Sequence, residues 1–173
     1  ENVSGRYCTT AKLRDAHKNG HVLAVLLLIA ANKLRYVVKS YSSDSSEIDL
    51  QTAEELIRFT ARNNPTGTQL APDGKFLYVT SRRALIAPYG DTLKSELTVV
   101  DEVKQRISER KNIESAYMME NVAFTPTGDL ALVTLIRPKN LVPSIQVEQG
   151  WMMTYGIGII EEKEKGEGIE LVS

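Results

Sequence analysis

Short apolar runs recur along the chain, and turn-forming residues separate them. Residues 70–80 read Leu-Ala-Pro-Asp-Gly-Lys-Phe-Leu-Tyr-Val-Thr, and residues 124–134 read Phe-Thr-Pro-Thr-Gly-Asp-Leu-Ala-Leu-Val-Thr. Both place Pro-x-Gly before an apolar run that ends in Val-Thr. This pattern predicts a β-hairpin whose turn uses proline to fix φ and glycine to accept a positive φ. Residues 28–38 fit the same frame with Asn32 at the glycine position, because asparagine also tolerates a positive φ.

Two more short segments rich in β-forming residues follow each predicted hairpin. The predicted third strands lie at 47–50, 84–87 and 156–160, and the predicted fourth strands lie at 55–60, 95–100 and 168–172. Four short strands in a unit of about 40–50 residues are typical of a β-propeller blade. We therefore predict an all-β fold of β-propeller-like blades, each with four antiparallel strands.

About three blades fit the chain. They are predicted near 22–61, 65–112 and 116–173, after an N-terminal extension over 1–21. A propeller usually closes with about four to eight blades, which takes roughly 160–400 residues at this repeat length. Three blades in 173 residues therefore predict an incomplete propeller. The charged stretch 104–114 is interpreted as an insert, either a solvated loop or a helical turn.

The longest apolar run, 22–31, has two interpretations. It is too short to cross a hydrocarbon core of about 30 Å as a helix, so we predict no membrane span. One interpretation is a buried strand or a short core helix, which the repeat favours. The other is the apolar part of a signal peptide, because Lys12, Arg14 and Lys18 precede the run and two alanines end it.

Composition narrows the classes of function. The chain has 21 Lys and Arg against 22 Asp and Glu, so no basic excess indicates a nucleic-acid partner. The single cysteine, Cys8, excludes an internal disulfide framework and a cysteine-based zinc or iron–sulfur site. His17 and His21 flank Asn-Gly, which argues against a helical metal pair. We assign no metal, no cofactor and no catalytic residue.

One stretch resembles a known repeat. Asn64-Pro-Thr-Gly67 and the Pro-Asp-Gly-Lys turn before Leu-Tyr-Val-Thr80 are similar to the YVTN-type β-propeller repeat. The third unit departs from this repeat at Thr127 and Ala131, and the first unit lacks its proline and glycine. The resemblance implies a propeller fold and says little about function.

A second stretch resembles a propeller loop. The residues from Arg137-Pro-Lys-Asn140 to Gly150-Trp151 are similar to the long loop of propeller domains in periplasmic proteins associated with di-haem peroxidase modules. The resemblance implies a periplasmic or extracellular protein. It also implies a protein partner, a haem-containing redox protein, within a larger complex.

The predicted topology places the informative loops at one end of the blades. In a four-stranded meander, the loops between second and third strands lie at the same end as the blade-to-blade linkers, and functional residues often lie on such loops. The candidate binding residues at this end are Arg82, Arg83, Arg137, Lys139, Asn140, Gln146, Gln149, Trp151 and Tyr155. Cations together with amides and aromatic rings suit an anionic or carbonyl-rich ligand, or an acidic protein surface.

The long loop 137–155 is the strongest single candidate, because a loop of this length in a compact domain is usually functional or disordered. In the alternative interpretation, Trp151 fills a gap in the sheet and the loop is a structural cover.

Three functions remain open from the sequence. The first is a non-enzymatic interaction module that presents the loops to a protein partner. The second is a propeller enzyme such as a sugar-lactone hydrolase, which some YVTN-like propellers resemble and which would need a polar cluster such as Arg82, Arg137 and Asn140. The third is a structural subunit that assembles through open sheet edges, with copies of itself or within a larger complex.

Overall fold

The strands of the chain form three separate sheets. The computed structural model describes residues 24–29, 34–49, 51–52, 54–88, 90–138, 145, 148, 153–161 and 169–172. Within these residues the first sheet contains β1 (Ala24–Ile29), β2 (Leu34–Lys39), β3 (Asp44–Asp49) and β4 (Glu55–Thr60). The second contains β5 (Pro65–Leu70), β6 (Phe76–Ser81), β7 (Lys94–Asp101) and β8 (Arg106–Glu114). The third contains β9 (Val122–Phe124), β10 (Leu130–Pro138), β11 (Met153–Glu161) and β12 (Ile169–Val172).

Each sheet is an antiparallel meander in which neighbours in sequence are neighbours in space. This confirms the predicted all-β fold, with about three propeller-like blades of four antiparallel strands, as in an incomplete propeller. Among the described residues, no helix has the length and apolar character needed to cross a membrane.

The two Pro-x-Gly turns form as the sequence predicts. Gly74 has a φ of 72° and donates its N–H to the carbonyl of Ala71 at 2.9 Å. Gly128 has a φ of 79° and donates to the carbonyl of Thr125 at the same distance of 2.9 Å. Positive φ is strained for residues with a Cβ, so glycine at these positions fixes the hairpins. The matching position Asn32 lies outside the described residues.

The prediction for the second sheet was wrong in two places. Residues 84–87 form no strand, and β7 and β8 follow instead as the third and fourth strands. Residues 104–114 are therefore not an insert, because most of them form the edge strand β8. This strand pairs with β7 from Lys94↔Glu114 to Asp101↔Arg106. The sequence of this strand did not indicate a strand because it is rich in charged residues. An edge strand packs few apolar side chains, and this one forms ion pairs with its neighbour β7 instead.

The apolar run at the start of the chain follows the strand interpretation. Residues 24–29 form β1, which pairs with β2 along its whole length. The predicted extension over 1–21 lies outside the described residues.

The second sheet lies between the other two and shares an apolar core with each. Alternate residues of β6 point to opposite sides, as expected for a strand. Leu77 and Val79 pack in a cluster with Tyr36 and Val38 of the first sheet. Tyr78 packs in a cluster that includes residues of the third sheet, and its ring meets the ring of Phe124 edge to face at 5.0 Å. The three sheets therefore stack in chain order.

Candidate functional site

Two linkers join the sheets, and backbone hydrogen bonds tie both to the loop that follows β6. The first linker, 61–64, accepts hydrogen bonds at the carbonyl of Asn64 from the N–H of Arg82 (2.9 Å) and at the carbonyl of Asn63 from the N–H of Arg83 (3.0 Å). The second linker, 115–121, donates from the N–H of Met118 to the carbonyl of Arg82 at 2.9 Å. We call residues 61–64, 82–84, 115–121 and 136–137 the linker end.

The third sheet joins the linker end through a pair of hydrogen bonds. The N–H of Tyr117 donates to the carbonyl of Ile136 at 2.8 Å, and the N–H of Ile136 donates back to Tyr117 at 2.7 Å. Arg137 therefore directly follows Ile136, which is hydrogen-bonded to Tyr117 of the second linker. Arg82 is hydrogen-bonded to Met118, the next residue of the same linker. The fold brings all three sheets together at this end.

Backbone strain is concentrated at the linker end. Among the described residues, the non-glycine positions with positive φ include Asn63 (52°), Asn64 (63°), Ser115 (52°) and Met118 (49°). Asparagine tolerates this conformation, but methionine adopts it rarely. Such strain persists only where surrounding contacts hold it, and it is frequent at functional sites.

Three guanidinium groups at this end have no side-chain partner among the described residues. In the part of the chain that the structure describes, the side chains of Arg82, Arg83 and Arg137 form no hydrogen bond or ion pair. Arg83 is exposed, while Arg82 and Arg137 are partly buried. By contrast, Arg110 pairs with the buried Glu96. The linker end therefore carries positive charge that its own residues do not neutralise.

The structure places the predicted site residues in three groups. Arg82, Arg83 and Arg137 meet at the linker end. Tyr155 lies in β11 opposite Ile136 and is 89% exposed. It is on one face of the third sheet, and Arg137 is on the other. The predicted residues Lys139, Asn140, Gln146, Gln149 and Trp151 lie outside the described residues. Their roles, like those of the other four, remain predictions. The predicted loop 137–155 is shorter than expected, because β10 extends to Pro138 and β11 begins at Met153.

Sequence reasoning missed an apolar groove on the outer face of the third sheet. The groove has a volume of about 850 Å³, and its lining includes Leu132, Ile136, Tyr155, Ile157 and Ile159. The sequence did contain an indication of this groove, because β10 carries apolar residues at successive positions from Leu130 to Val133 rather than in strict alternation. A strand of this kind is typical of sheets covered on both faces.

A second missed feature is a group of acids between the first and second sheets. Tyr36 donates its hydroxyl hydrogen to Oε2 of Glu102 at 2.8 Å. Glu47, opposite Tyr36 in the first sheet, is only 4% exposed. The pKa of Glu102 is raised to about 7: burial is the largest cause, the Tyr36 hydroxyl lowers it, and the nearby charges of Glu47 and Asp101 raise it. Burial also raises the pKa of Glu47. Because Tyr36 and Glu102 are 66 residues apart, no local pattern could reveal the pair.

Glu102 makes the stability of the fold depend on pH. The Glu102 carboxyl binds its proton more tightly in the folded protein than in the unfolded chain, where its pKa has the usual value of 4.5. The stabilisation is therefore complete below about pH 4.5 and is lost as the pH rises through about 7. We expect Glu102→Gln, which stays uncharged, to flatten the fall in melting temperature across this window. The control Glu109→Gln, at an exposed carboxylate, should keep the wild-type profile; parallel profiles for the wild type and Glu102→Gln would contradict the prediction.

Comparisons with known proteins agree with this architecture. No protein-family model matches the chain. The subunit beta of hydrazine synthase from Kuenenia stuttgartiensis is 29% identical over 109 residues, which are 63% of this chain and 27% of that protein. This chain thus spans well under two thirds of the length of the curated relative that it matches.

Two solved structures share the fold at low identity. The dihydro-heme d1 dehydrogenase NirN, in complex with DHE, matches 85% of this chain with 25% of its own, at 18% identity and a TM-score of 0.52. A Bacteroides fragilis protein described as a 6-phosphogluconolactonase matches 86% of this chain with 37% of its own, at 18% identity and a TM-score of 0.54. The fold is propeller-like. At this identity the likeness supports the fold alone.

Proposed function

We propose that this chain is a non-catalytic interaction module of a propeller-type subunit, which presents its linker end to an acidic protein partner. The proposal is carried by the guanidinium groups of Arg82, Arg83 and Arg137, which meet no partner in the part of the chain that the structure describes. They lie on a frame of linkers that backbone hydrogen bonds fix. Arginine pairs with carboxylates through two parallel hydrogen bonds, so such a set can recognise acidic side chains with defined geometry.

The partner proposed is a haem-containing redox protein in a larger complex. The relative from Kuenenia stuttgartiensis supports a larger complex, since its name makes it one subunit of a hydrazine synthase. The haem-containing partner is what the resemblance of the stretch from Arg137 to Trp151 implies. The proposal includes membership of the YVTN-type repeat proteins, a periplasmic or extracellular location, and blades near 22–61, 65–112 and 116–173 after an extension over 1–21. The five predicted loop residues outside the described part would extend the same binding surface.

The test is capture of a haem protein from the native source by the immobilised chain. We expect the wild type to retain a protein that stains for haem. The triple variant Arg82→Gln, Arg83→Gln, Arg137→Gln should retain less by at least about tenfold, because the loss of even one charge-assisted hydrogen bond, about 1.5–3 kcal/mol, weakens binding by more than that factor. Retention should also fall with salt, since exposed charges are screened.

A matched control removes the same charge elsewhere. Lys75, Lys104 and Arg106 lie in or beside the turns at the opposite end of the second sheet, so Lys75→Gln, Lys104→Gln, Arg106→Gln should retain the haem protein as well as the wild type does. Equal loss in both triple variants would indicate a general charge effect and would contradict the proposed site. A wild type that retains no haem protein would remove the proposed partner.

A further inference from the structure

The turn between β2 and β3, residues 40–43, lies beside the linker end. Ser40 is buried, and its hydroxyl donates to the carbonyl of Pro65, the residue that directly follows the first linker. The preceding residue, Asn64, accepts a hydrogen bond from the N–H of Arg82. Only Asn64 and Pro65 therefore separate the turn of the first sheet from the first of the three arginines.

Backbone strain shows that this turn belongs with the linkers. Among the described residues, six non-glycine positions have a positive φ, and four of them lie in the two linkers. A fifth is Ser43 of the turn 40–43, with a φ of 55°. Gln105 is the sixth and lies at the opposite end, between β7 and β8. The strain that is frequent at functional sites therefore extends from the linkers to this turn.

The turn presents one large aromatic side chain to water. Tyr41 is 66% exposed, and its hydroxyl forms no hydrogen bond within the part of the chain that the structure describes. The residues on either side of it are fixed, since Ser40 is bonded to Pro65 and Ser42 donates to Oδ1 of Asp44 at 3.0 Å. A tyrosine on a fixed turn has few torsions left to order, so its burial by a partner costs little conformational entropy.

We propose that Tyr41 is the aromatic anchor of the surface around the linker end, and that it inserts into an apolar hollow bordered by carboxylates on the haem-containing partner, a proposal that rests on the proposed function. Tyrosine and arginine are among the residues that most often dominate the energy of an interface. The arginines of the linker end recognise carboxylates, and the ring of Tyr41 supplies the apolar contact that cations lack. The hollow and the surrounding acids are therefore complementary to this surface in shape and in charge.

The two kinds of contact differ in their response to salt. Dissolved ions screen the attraction between exposed charges, so the contribution of the arginines falls as salt is added. The burial of an aromatic ring is driven by the removal of apolar surface from water, which added sodium chloride does not screen. Loss of the Tyr41 ring should therefore weaken binding by the same factor at low and at high salt. Loss of the arginines should instead remove most of the salt dependence.

Retention of the haem protein by the immobilised full chain, at about 50 mM and about 150 mM NaCl, tests the proposal. We expect Tyr41→Ala to retain less by at least about tenfold at both salt concentrations, because truncation of an anchor typically has an effect of this size. Tyr41→Phe keeps the ring and should retain the haem protein as the wild type does. Both variants should melt at the wild-type temperature, since the ring is mostly exposed. The control Val103→Ala removes an apolar side chain that is 76% exposed at the opposite end, and it should leave retention unchanged.

Photo-crosslinking adds a readout that does not depend on affinity. The photoreactive residue p-benzoylphenylalanine at position 41 should join the chain to the haem-staining protein on irradiation, and the same residue at position 103 should not. Full retention by Tyr41→Ala, with loss in the triple arginine variant, would overturn the anchor and leave the proposed function standing. Equal loss in Tyr41→Ala and Tyr41→Phe would overturn the apolar hollow, because the hydroxyl would then be the essential contact. A wild type that retains no haem protein would overturn both proposals.

Discussion

Gly67→Ala is expected to destabilise the fold by about 3 kcal/mol or more, at the upper end of overpacking effects. A Cβ on Gly67 would lie 1.8 Å from the carbonyl oxygen of Glu120 and 2.8 Å from Oγ1 of Thr80. The carbonyl belongs to the second linker and cannot rotate aside as a flexible side chain can. The same contact is part of a hydrogen-bond network, because Thr80 donates to the Glu120 carbonyl at 3.1 Å and accepts from the N–H of Gly67 at 2.9 Å. Alanine would therefore push the third sheet away from the second.

Urea unfolding of the two glycine variants measures this effect. Gly74→Ala is the matched control, since Gly74 has a φ of 72° and no atom within 4 Å of an added Cβ. That substitution should cost only about 1 kcal/mol, the strain of a Cβ in the left-handed region. A Gly67→Ala protein that unfolds at the same urea concentration as Gly74→Ala would show that the backbone of the second linker moves away from the new Cβ at little cost in free energy. The close contact would then have no role in holding the sheets together.

Local sequence signals predict the hairpins of this fold better than the contacts between sheets. Pro72 and Gly74 are sufficient to predict their turn, because the φ angles that the turn needs are properties of those residues. The role of Gly67 is different, since it depends on Glu120, which the fold brings near from the second linker. β8 was missed for a related reason. Its strand character comes from pairing with β7 and not from apolar alternation.

The candidate site shows the same division. Arg82 and Arg83 could be assigned to the linker end because the order of strands in a meander fixes which loops share an end. The apolar groove on the outer face of the third sheet could not be predicted, because the sequence shows that β10 is apolar on both sides but not which side another sheet covers. The pair of Tyr36 and Glu102 depends on how two sheets stack, and periodicity carries no information about that.

The second large effect is expected at Glu96, whose side chain is buried at the boundary between the first two sheets. Glu96 is 2% exposed and pairs with Arg110. Thr98 also donates to its Oε1 at 3.2 Å, and Nε of Arg62 lies 4.0 Å from Oε2. Arg110 in turn donates from Nη2 to the carbonyl of Thr60 at 2.7 Å, at the end of the first sheet. One carboxylate thus organises contacts that span the first linker.

Glu96→Ala should destabilise the protein by about 3–5 kcal/mol, because removal of one member of a buried ion pair leaves the other charge without compensation. Glu114→Gln supplies the control. Glu114 pairs with Lys94 at 2.6 Å on the same two strands but is 65% exposed, so its loss should cost at most about 1 kcal/mol. Urea unfolding of both variants checks the difference.

A double variant separates the charge from the space that the pair fills. Glu96→Leu with Arg110→Leu removes both charges together, and apolar replacement of a whole buried pair is often close to neutral. We therefore expect the double variant to recover more than half of the stability lost in Glu96→Ala. If the double variant is as unstable as the single one, the hydrogen bond from Arg110 to Thr60 rather than the ion pair holds the two sheets together. Since that bond reaches the last residue of β4, its loss would then act on the first linker directly, and the linker end would lose its fixed geometry along with the stability.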